Sequence, residues 1–401
     1  MGVDLKSSYS SSAHGSEIEF QIPMSFFYRL AFTEGVFETS NPLLADYLSD
    51  QGNRENPTQV LLFLDQGLHE CQPQLYSQIQ NYFKFQQKLI SLESPPILIR
   101  GGEAAKNEKE IFDTILQAIH DAKICRHSYV VVVGGGGVVD AVCFAASLVH
   151  RGVRQIRIPS TVLAQGDAGI GIKNGINYFN KKNFLGTFYP PDAVINDSRL
   201  LLSLDQQSWI SGIAEAIKVG LIRDGELFFW ILENATSLRN RDLATMQKLV
   251  RRSAELHLRQ ISQGGDPFEK GSVRPLDFGH WVAHKLEALS NYLIPHGHAV
   301  AIGIAVDSIY SWRKGFLPPE QLTLILKCLE EIGFNFREPL LLETNPDNGR
   351  RAILEGIDEF REHLGGELTL SLLTEIGRSF EVHEIDEVGM ISAIAELMEK
   401  S

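Results

Sequence analysis

The chain has 401 residues, 44% hydrophobic and 22% charged, with 34 Gly and 16 Pro. That composition excludes disorder, collagen and coiled coil as the main state, and the length predicts about two to three domains. Thirty-seven basic against 50 acidic residues leave a net charge of −13, which argues against sequence-independent nucleic-acid binding, because that needs basic surface.

An anionic ligand must then be held by a local group of Lys, Arg or backbone N–H donors, against the field of the whole chain. Cys71, Cys125, Cys143 and Cys328 are scattered with no CxxC, which points to a reducing, cytoplasmic compartment. No apolar run is long enough to span a bilayer, so no membrane partner is expected. The polar, Ser-rich stretch Met1 to Ser16 lacks the apolar segment of a signal peptide. Lys6 stands where myristoylation needs Ser or Thr.

In chain order, residues 1–17 read as a disordered tail. Val60–Leu64 and Pro96–Arg100 read as strands, and Glu108 to Ala122 as a helix with apolar residues at helical spacing. Tyr129–Val133 is a β-branched and aromatic run, the mark of a strand buried on both faces. It runs into Gly134-Gly135-Gly136-Gly137, and Val138 to Val149 then reads as a helix. Strand, glycines, helix is the geometry of a nucleotide-binding turn. Gln155–Pro159 is another short strand, and Gln165 to Pro191, rich in Gly, Asn and Lys, reads as a long functional loop. Beyond Asn196-Asp197 the texture changes. Ser208 to Ile222, Glu226 to Leu238, Ala244 to Ile261 and Pro319 to Ile332 all read as helices, with no convincing strand between them. The first half is therefore α/β and the second mostly α, with a boundary near Leu204.

Four constellations carry chemistry. The four glycines let a backbone approach a pyrophosphate, with Asp140 placed in the first turn of the following helix; a tight turn packed closely on a strand explains them equally well. Asp167, Lys173, Lys181, Lys182 and Asn183 form either a phosphate cradle or a solvated basic loop. Glu215 and Lys218 lie at i, i+3 on one helix face among apolar neighbours, where charge without purpose is expensive. His280 and His284 lie at i, i+4, and His296 and His298 flank Gly297 at a chain turn. Four of the chain's 12 histidines in one short stretch favour a metal, and with a carboxylate they would make an open catalytic site. No HExxH is present, so this is not a standard metalloprotease.

Taken in order, Gly134–Asp140, the Ile158–Asp167 stretch, Lys173, Lys182-Asn183, Ala214–Lys218, Gly279–His284 and His296-Gly297 resemble the dehydroquinate-synthase-like sugar phosphate cyclases over residues 55–310. The resemblance implies an α/β, Rossmann-like NAD-binding domain (18–204), a mostly α-helical metal- and substrate-binding domain (205–401), and an active site between them. It implies NAD contacts at Asp65, Glu103, Lys106, Gly135, Gly136, Asp140, Thr161, Leu163 and Lys182. It implies one divalent metal, zinc or cobalt, on Glu215, His280 and His296. Lys173, Asn183, Lys218 and His284 would meet substrate and phosphate, with Asp167 orienting a hydroxyl. Arg151 matches a phosphate-binding arginine lent across a homodimer interface. The implied chemistry is oxidation of a seven-carbon sugar phosphate by NAD⁺, elimination of phosphate, re-reduction, ring opening and an intramolecular aldol closure.

The chain departs from dehydroquinate synthase proper where that enzyme meets its substrate's carboxylate. His257 replaces a helix lysine, Asp277 replaces an asparagine, and Arg274 is shifted by one residue and followed by Pro275. A carboxylate in place of an amide disfavours an acidic substrate. His298 stands where glutamate is usual, as in valiolone-type cyclases. The expected substrate is therefore sedoheptulose 7-phosphate and the product a C7 cyclitol of 2-epi-valiolone type, with Arg274 and His298 also near substrate. The alternatives are 3-dehydroquinate synthase of the shikimate pathway, a metal- and NAD-dependent alcohol or glycerol-type dehydrogenase, and a catalytically silent scaffold. Occupation of all three metal-ligand positions argues against the last.

Overall fold

The computed structural model describes residues 8–12, 15–19, 22, 24–49, 56–179, 181–264, 268, 277–363, 366 and 368–399. Strands β1 (Ser8–Ser12) and β2 (Gly15–Glu19) pair antiparallel, where the sequence predicts a disordered tail. Next come β3 (Arg29–Thr33), α1 (Leu43–Ser49), β4 (Thr58–Asp65), α2 (Gln66–Cys71) and α3 (Gln74–Phe85). Then follow β5 (Ile90–Leu92), β6 (Ile97–Ile99), α4 (Ala104–Asn107), α5 (Lys109–Asp121), β7 (Tyr129–Gly134), α6 (Gly136–Leu148) and β8 (Arg154–Pro159). A hairpin, β9 (Lys173–Tyr178) and β10 (Lys181–Phe188), precedes β11 (Ala193–Asp197).

Seven of these strands form one parallel sheet in the order β3-β11-β8-β7-β4-β5, with β6 continuing beside β4. Side chains alternate across a strand. Leu62, Leu64, Val131, Val133 and Ile156 therefore pack on the α1 and α3 side, while Leu61, Phe63, Val130 and Val132 pack against α5 and α6. Burial on both faces explains the unbroken apolar runs. From β4 the chain steps outward to β5 and β6, then returns to β7 on the other side. The switch point, where open α/β sheets take ligands at the carboxyl ends of strands, thus lies between Asp65 and Gly134.

The expected loop 165–191 is mostly the β9–β10 hairpin, a correction. Gly175 faces Gly186, and a Cβ on Gly175 would lie 2.6 Å from the Leu185 carbonyl oxygen. Strands that meet glycine to glycine show no alternating apolar pattern, so periodicity misses them. Arg157 on β8 is fully buried and donates to the Gly169, Gly171 and Tyr189 carbonyls and to Asn174 Oδ1. These bonds hold the segment between Asp167 and the hairpin.

After β11 the chain is nearly all helical. Its helices are α7 (Gln206–Arg223), α8 (Gly225–Glu233), α9 (Ala235–Arg239), α10 (Leu243–Gln263), α11 (His280–Leu289), α12 (His296–Arg313) and α13 (Pro319–Ile332). Asp205 and Asp242 cap α7 and α10, accepting from Ser208 N–H (2.7 Å) and Thr245 N–H (2.8 Å). Helix α14 (Glu355–His363), strands β12 (Leu370–Glu375) and β13 (Arg378–Val382), and α15 (Glu387–Glu399) complete it. The antiparallel β12–β13 hairpin lies beyond the stretch from Ser208 to Ile332, and the second half is mostly helical as expected. One large apolar core runs through these helices, centred on α7 and α12. Among the described residues no helix is long and apolar enough to cross a membrane.

Candidate active site

Two crossings bring the site together. A Cβ on Gly212 of α7 would lie 2.3 Å from the Leu163 backbone nitrogen, so α7 rests directly on the turn after β8. A Cβ on Gly297 would lie 1.9 Å from the Ser211 carbonyl oxygen, so α12 begins in contact with α7. His296 and His298 therefore stand in the first turn of a helix, not at a chain turn.

The crossing sets His296 against Glu215. His296 Nε2 lies 3.2 Å, and His280 Nε2 3.5 Å, from Glu215 Oε1. The ligating atoms of Glu215, His280 and His296 all fall within 4.8 Å of one another, and a carboxylate with two imidazoles is a donor set that suits zinc or cobalt. Lys218 Nζ lies 2.5 Å from Glu215 Oε2, as the i, i+3 spacing predicts. Burial would raise the Glu215 pKa, but Lys218, His280 and His296 outweigh it and hold the carboxyl well below its usual range. Burial opposes charge on Lys218 too, yet Glu215 and Asp167 keep the ammonium. His284 is pushed far below the usual imidazole range, by burial first and then by Lys182, and so stays neutral. Burial would also lower His296, but chiefly Glu287 lifts it to about 9.

Asp167 on the segment after β8 pairs with His257 of α10, with Nδ1 2.8 Å from Oδ1. Burial would raise the carboxyl, but the His257 charge and hydrogen bond lower it. Asp277 is one of the charges felt by Lys218. Lys173 opens β9, the strand that follows the Arg157-anchored segment.

At the switch point Asp65 Oδ1 accepts from Gly67 N–H (2.9 Å) and Leu68 N–H (3.4 Å), and Oδ2 from Gly135 N–H (3.3 Å). Burial nonetheless raises its pKa. Thr161 Oγ1 accepts from Ala164 N–H at 3.1 Å, and its methyl lies 3.4 Å from where a Gly135 Cβ would stand. A Cβ on Gly136 would come within 3.2 Å of Ala168 Cβ. The close quarters leave the α6 N-terminus as bare backbone, which fits a pyrophosphate. Helix α6 begins two residues before the predicted start, so Asp140 lies in its second turn rather than its first. There it pairs with buried Lys106 (2.8 Å), which also donates to Asn183 Oδ1. Glu103 precedes α4 and accepts from Asn177 Nδ2 at 3.4 Å.

Two expected residues, His298 and Arg151, lie away from this group within the chain, and a third cannot be placed. His298 Nε2 lies 3.3 Å from the Gln207 carbonyl and its ring faces Phe334 at 5.3 Å. Two residues along a helix are a turn of about 200°, so His298 cannot share the face of His296. Arg151 is exposed in a left-handed turn at the far end of α6 from the glycines. Thirteen residues of α6 span about 20 Å, so Arg151 is out of reach of its own pocket. Arg274 lies outside the described residues. Conversely, Glu287 was missed. It accepts from His296 Nδ1 and Lys182 Nζ, and Lys182 lies 105 positions away in sequence.

The chain matches the 3-dehydroquinate synthase N-terminal family over residues 96–211 and the C-terminal family over 212–351. It is 34% identical to a 3-dehydroquinate synthase of Dictyoglomus thermophilum over 299 residues, 74% of this chain and 81% of that protein. It is 32% identical over 301 residues to a 2-epi-valiolone synthase of Actinosynnema mirum, 75% of this chain and 77% of that one. In structure it is similar to the 2-epi-5-epi-valiolone synthase of Streptomyces hygroscopicus subsp. jinggangensis, solved with NAD⁺ and Zn²⁺ bound. The TM-score is 0.83 at 26% identity, covering 94% of this chain and 99% of that one. A parallel sheet with a switch-point crevice, joined to a helical domain, is the fold this chain shares with that cyclase. The chain belongs to the 3-dehydroquinate synthase family and is a sugar phosphate cyclase.

Proposed function

We propose that the chain cyclises sedoheptulose 7-phosphate to a C7 cyclitol of 2-epi-valiolone type with loss of phosphate, using NAD and one zinc or cobalt ion. The carrying observation is the Asp167–His257 pair, at 2.8 Å. An imidazole committed to a carboxylate, with Asp277 also near Lys218, supports a pocket for hydroxyls rather than for a second anion.

Glu215, His280 and His296 would hold the metal, and the crevice from Asp65 to Gly136, with Glu103, Lys106, Asp140, Thr161, Leu163 and Lys182 around it, would hold NAD. When bound, the metal supplies a Lewis acid and the nicotinamide a reversible hydride acceptor. Lys218, kept charged by Glu215 and Asp167, would neutralise the phosphate together with Lys173, with Asn183 donating a hydrogen bond to it. His284, held neutral by burial, can accept a hydrogen bond from a sugar hydroxyl. Asp167 would orient a second hydroxyl through a hydrogen bond shared with His257. The N-terminal unit would end near Leu204. The position of Arg151, beyond reach of its own pocket, supports a homodimer in which each protomer lends this arginine to the other.

A second reading, 3-dehydroquinate synthase activity, is favoured by the 34% identity to the Dictyoglomus enzyme. The test is phosphate release by metal-loaded protein with NAD⁺, comparing sedoheptulose 7-phosphate with the carboxylated seven-carbon sugar phosphate. Turnover of sedoheptulose 7-phosphate alone is the expected result, with the cyclitol identified by mass and NMR. Turnover of the carboxylated sugar alone returns the chain to the second reading.

A further inference from the structure

Glu287 has no place among the expected ligand, cofactor and substrate positions, yet it is one of the most buried charges in the chain, 3% exposed on α11. Both its oxygens accept from Lys182 Nζ at 2.7 Å, and Oε2 also accepts from His296 Nδ1 at 3.1 Å. Lys182 comes from β10, on the other side of the site, and its Nζ lies 3.8 Å from Glu103 Oε1. A buried carboxylate left alone would be costly. Here Lys182 balances its charge.

The arrangement has a consequence for His296. A hydrogen bond accepted from Nδ1–H fixes which ring nitrogen carries the proton and sets the plane of the ring. The other nitrogen, Nε2, then faces Glu215 Oε1 at 3.2 Å. Glu287 also lies within ligating distance of His284 and His296. With an ammonium on both oxygens, however, it is poorly placed to bind a cation itself.

We propose that Glu287 is a positioning residue that holds His296 in the tautomer and orientation needed to ligate the metal. The inference rests on the metal reading above. Its test uses Co²⁺ affinity, measured by chelator competition, and the visible absorption band of the bound ion. Glu287→Ala is expected to weaken Co²⁺ binding by about 10–100-fold and to shift the band, the size typical of lost carboxylate support to a ligating histidine. Glu287→Gln keeps one acceptor oxygen and should weaken binding by a smaller factor, about 3–10-fold. It preserves side-chain shape, so it carries the test if the alanine variant does not fold. Wild-type affinity and band in the Gln variant, and in the Ala variant if folded, would overturn the proposal, even if the thermal midpoint of the metal-free protein falls. His280→Ala separates the two ideas. If it also retains stoichiometric Co²⁺, the metal reading itself fails; if it loses the ion while the Glu287 variants bind normally, only the role of Glu287 fails.

Discussion

Asp307 on α12 accepts from Gly279 N–H at 2.9 Å and from Trp281 Nε1–H at 3.0 Å, the two residues on either side of His280. The carboxyl group thus grips the start of α11. Gly279 can enter that helix only with φ +77, and α12 presses on it so closely that a Cβ on Gly303 would lie 2.0 Å from the Gly279 carbonyl oxygen. Burial pushes the Asp307 carboxyl up from 3.8 to about 7, with only the two N–H donors opposing.

A stability dependence on pH follows. Between about pH 4 and 7 the folded chain keeps a proton on Asp307 that the unfolded chain has released. Stability from this group is therefore complete below pH 4 and is lost as pH rises through 7. A shift of about three units corresponds to roughly 4 kcal/mol at most. The thermal midpoint of metal-free wild type should fall relative to Asp307→Asn between pH 5 and pH 8. Parallel pH profiles for the two proteins would count against a buried, protonated Asp307.

Gly297 makes the steric demand at the α7–α12 crossing most severe, since a Cβ there would meet Ser211 O at 1.9 Å. Backbone cannot rotate aside as a side chain can. Gly297→Ala should cost about 1–3 kcal/mol or more through overpacking. It should also displace His296 from Glu215. Calorimetry should show a lower midpoint and metal analysis a substoichiometric ion. An unchanged midpoint would mean that the helices separate freely.

Glu215→Ala and His280→Ala should each abolish turnover and tight metal binding while the protein stays folded. Circular dichroism and metal content by mass spectrometry read the two effects separately. Stoichiometric metal in both variants would show that the ligand set is wrong.

What was legible in the sequence was local or repeated in pattern. Tyr129–Val133 announced a strand because both its faces are buried, and Glu215 with Lys218 announced a pair because i, i+3 lies on one helix face. The β9–β10 hairpin was hidden because glycines occupy facing positions and leave no alternation. Glu287 and Asp307 were hidden because their meaning lies in partners far along the chain: Lys182 is 105 residues from Glu287, and Trp281 is 26 from Asp307. His298 misled because closeness in sequence to His296 is not closeness in space on a helix.

The pocket chemistry gives the sharpest specificity test. His257 bonds Asp167 at 2.8 Å, and the charge of Asp277 is felt at Lys218. On the proposed reading, together they would favour hydroxyls and disfavour a substrate carboxylate. His257→Lys with Asp277→Asn removes one negative charge and supplies a cation, so the carboxylated seven-carbon sugar phosphate should gain relative to sedoheptulose 7-phosphate. A good charge-assisted contact is worth about 1.5–3 kcal/mol, so the ratio of kcat/KM values should move by about 10–100-fold. The change should lie mainly in KM, since on the proposed reading both groups bind substrate without taking part in the chemical steps. If the ratio stays constant while the double variant keeps its metal, His257 and Asp277 do not contact the discriminating end of the substrate, and selectivity must come from elsewhere in the pocket.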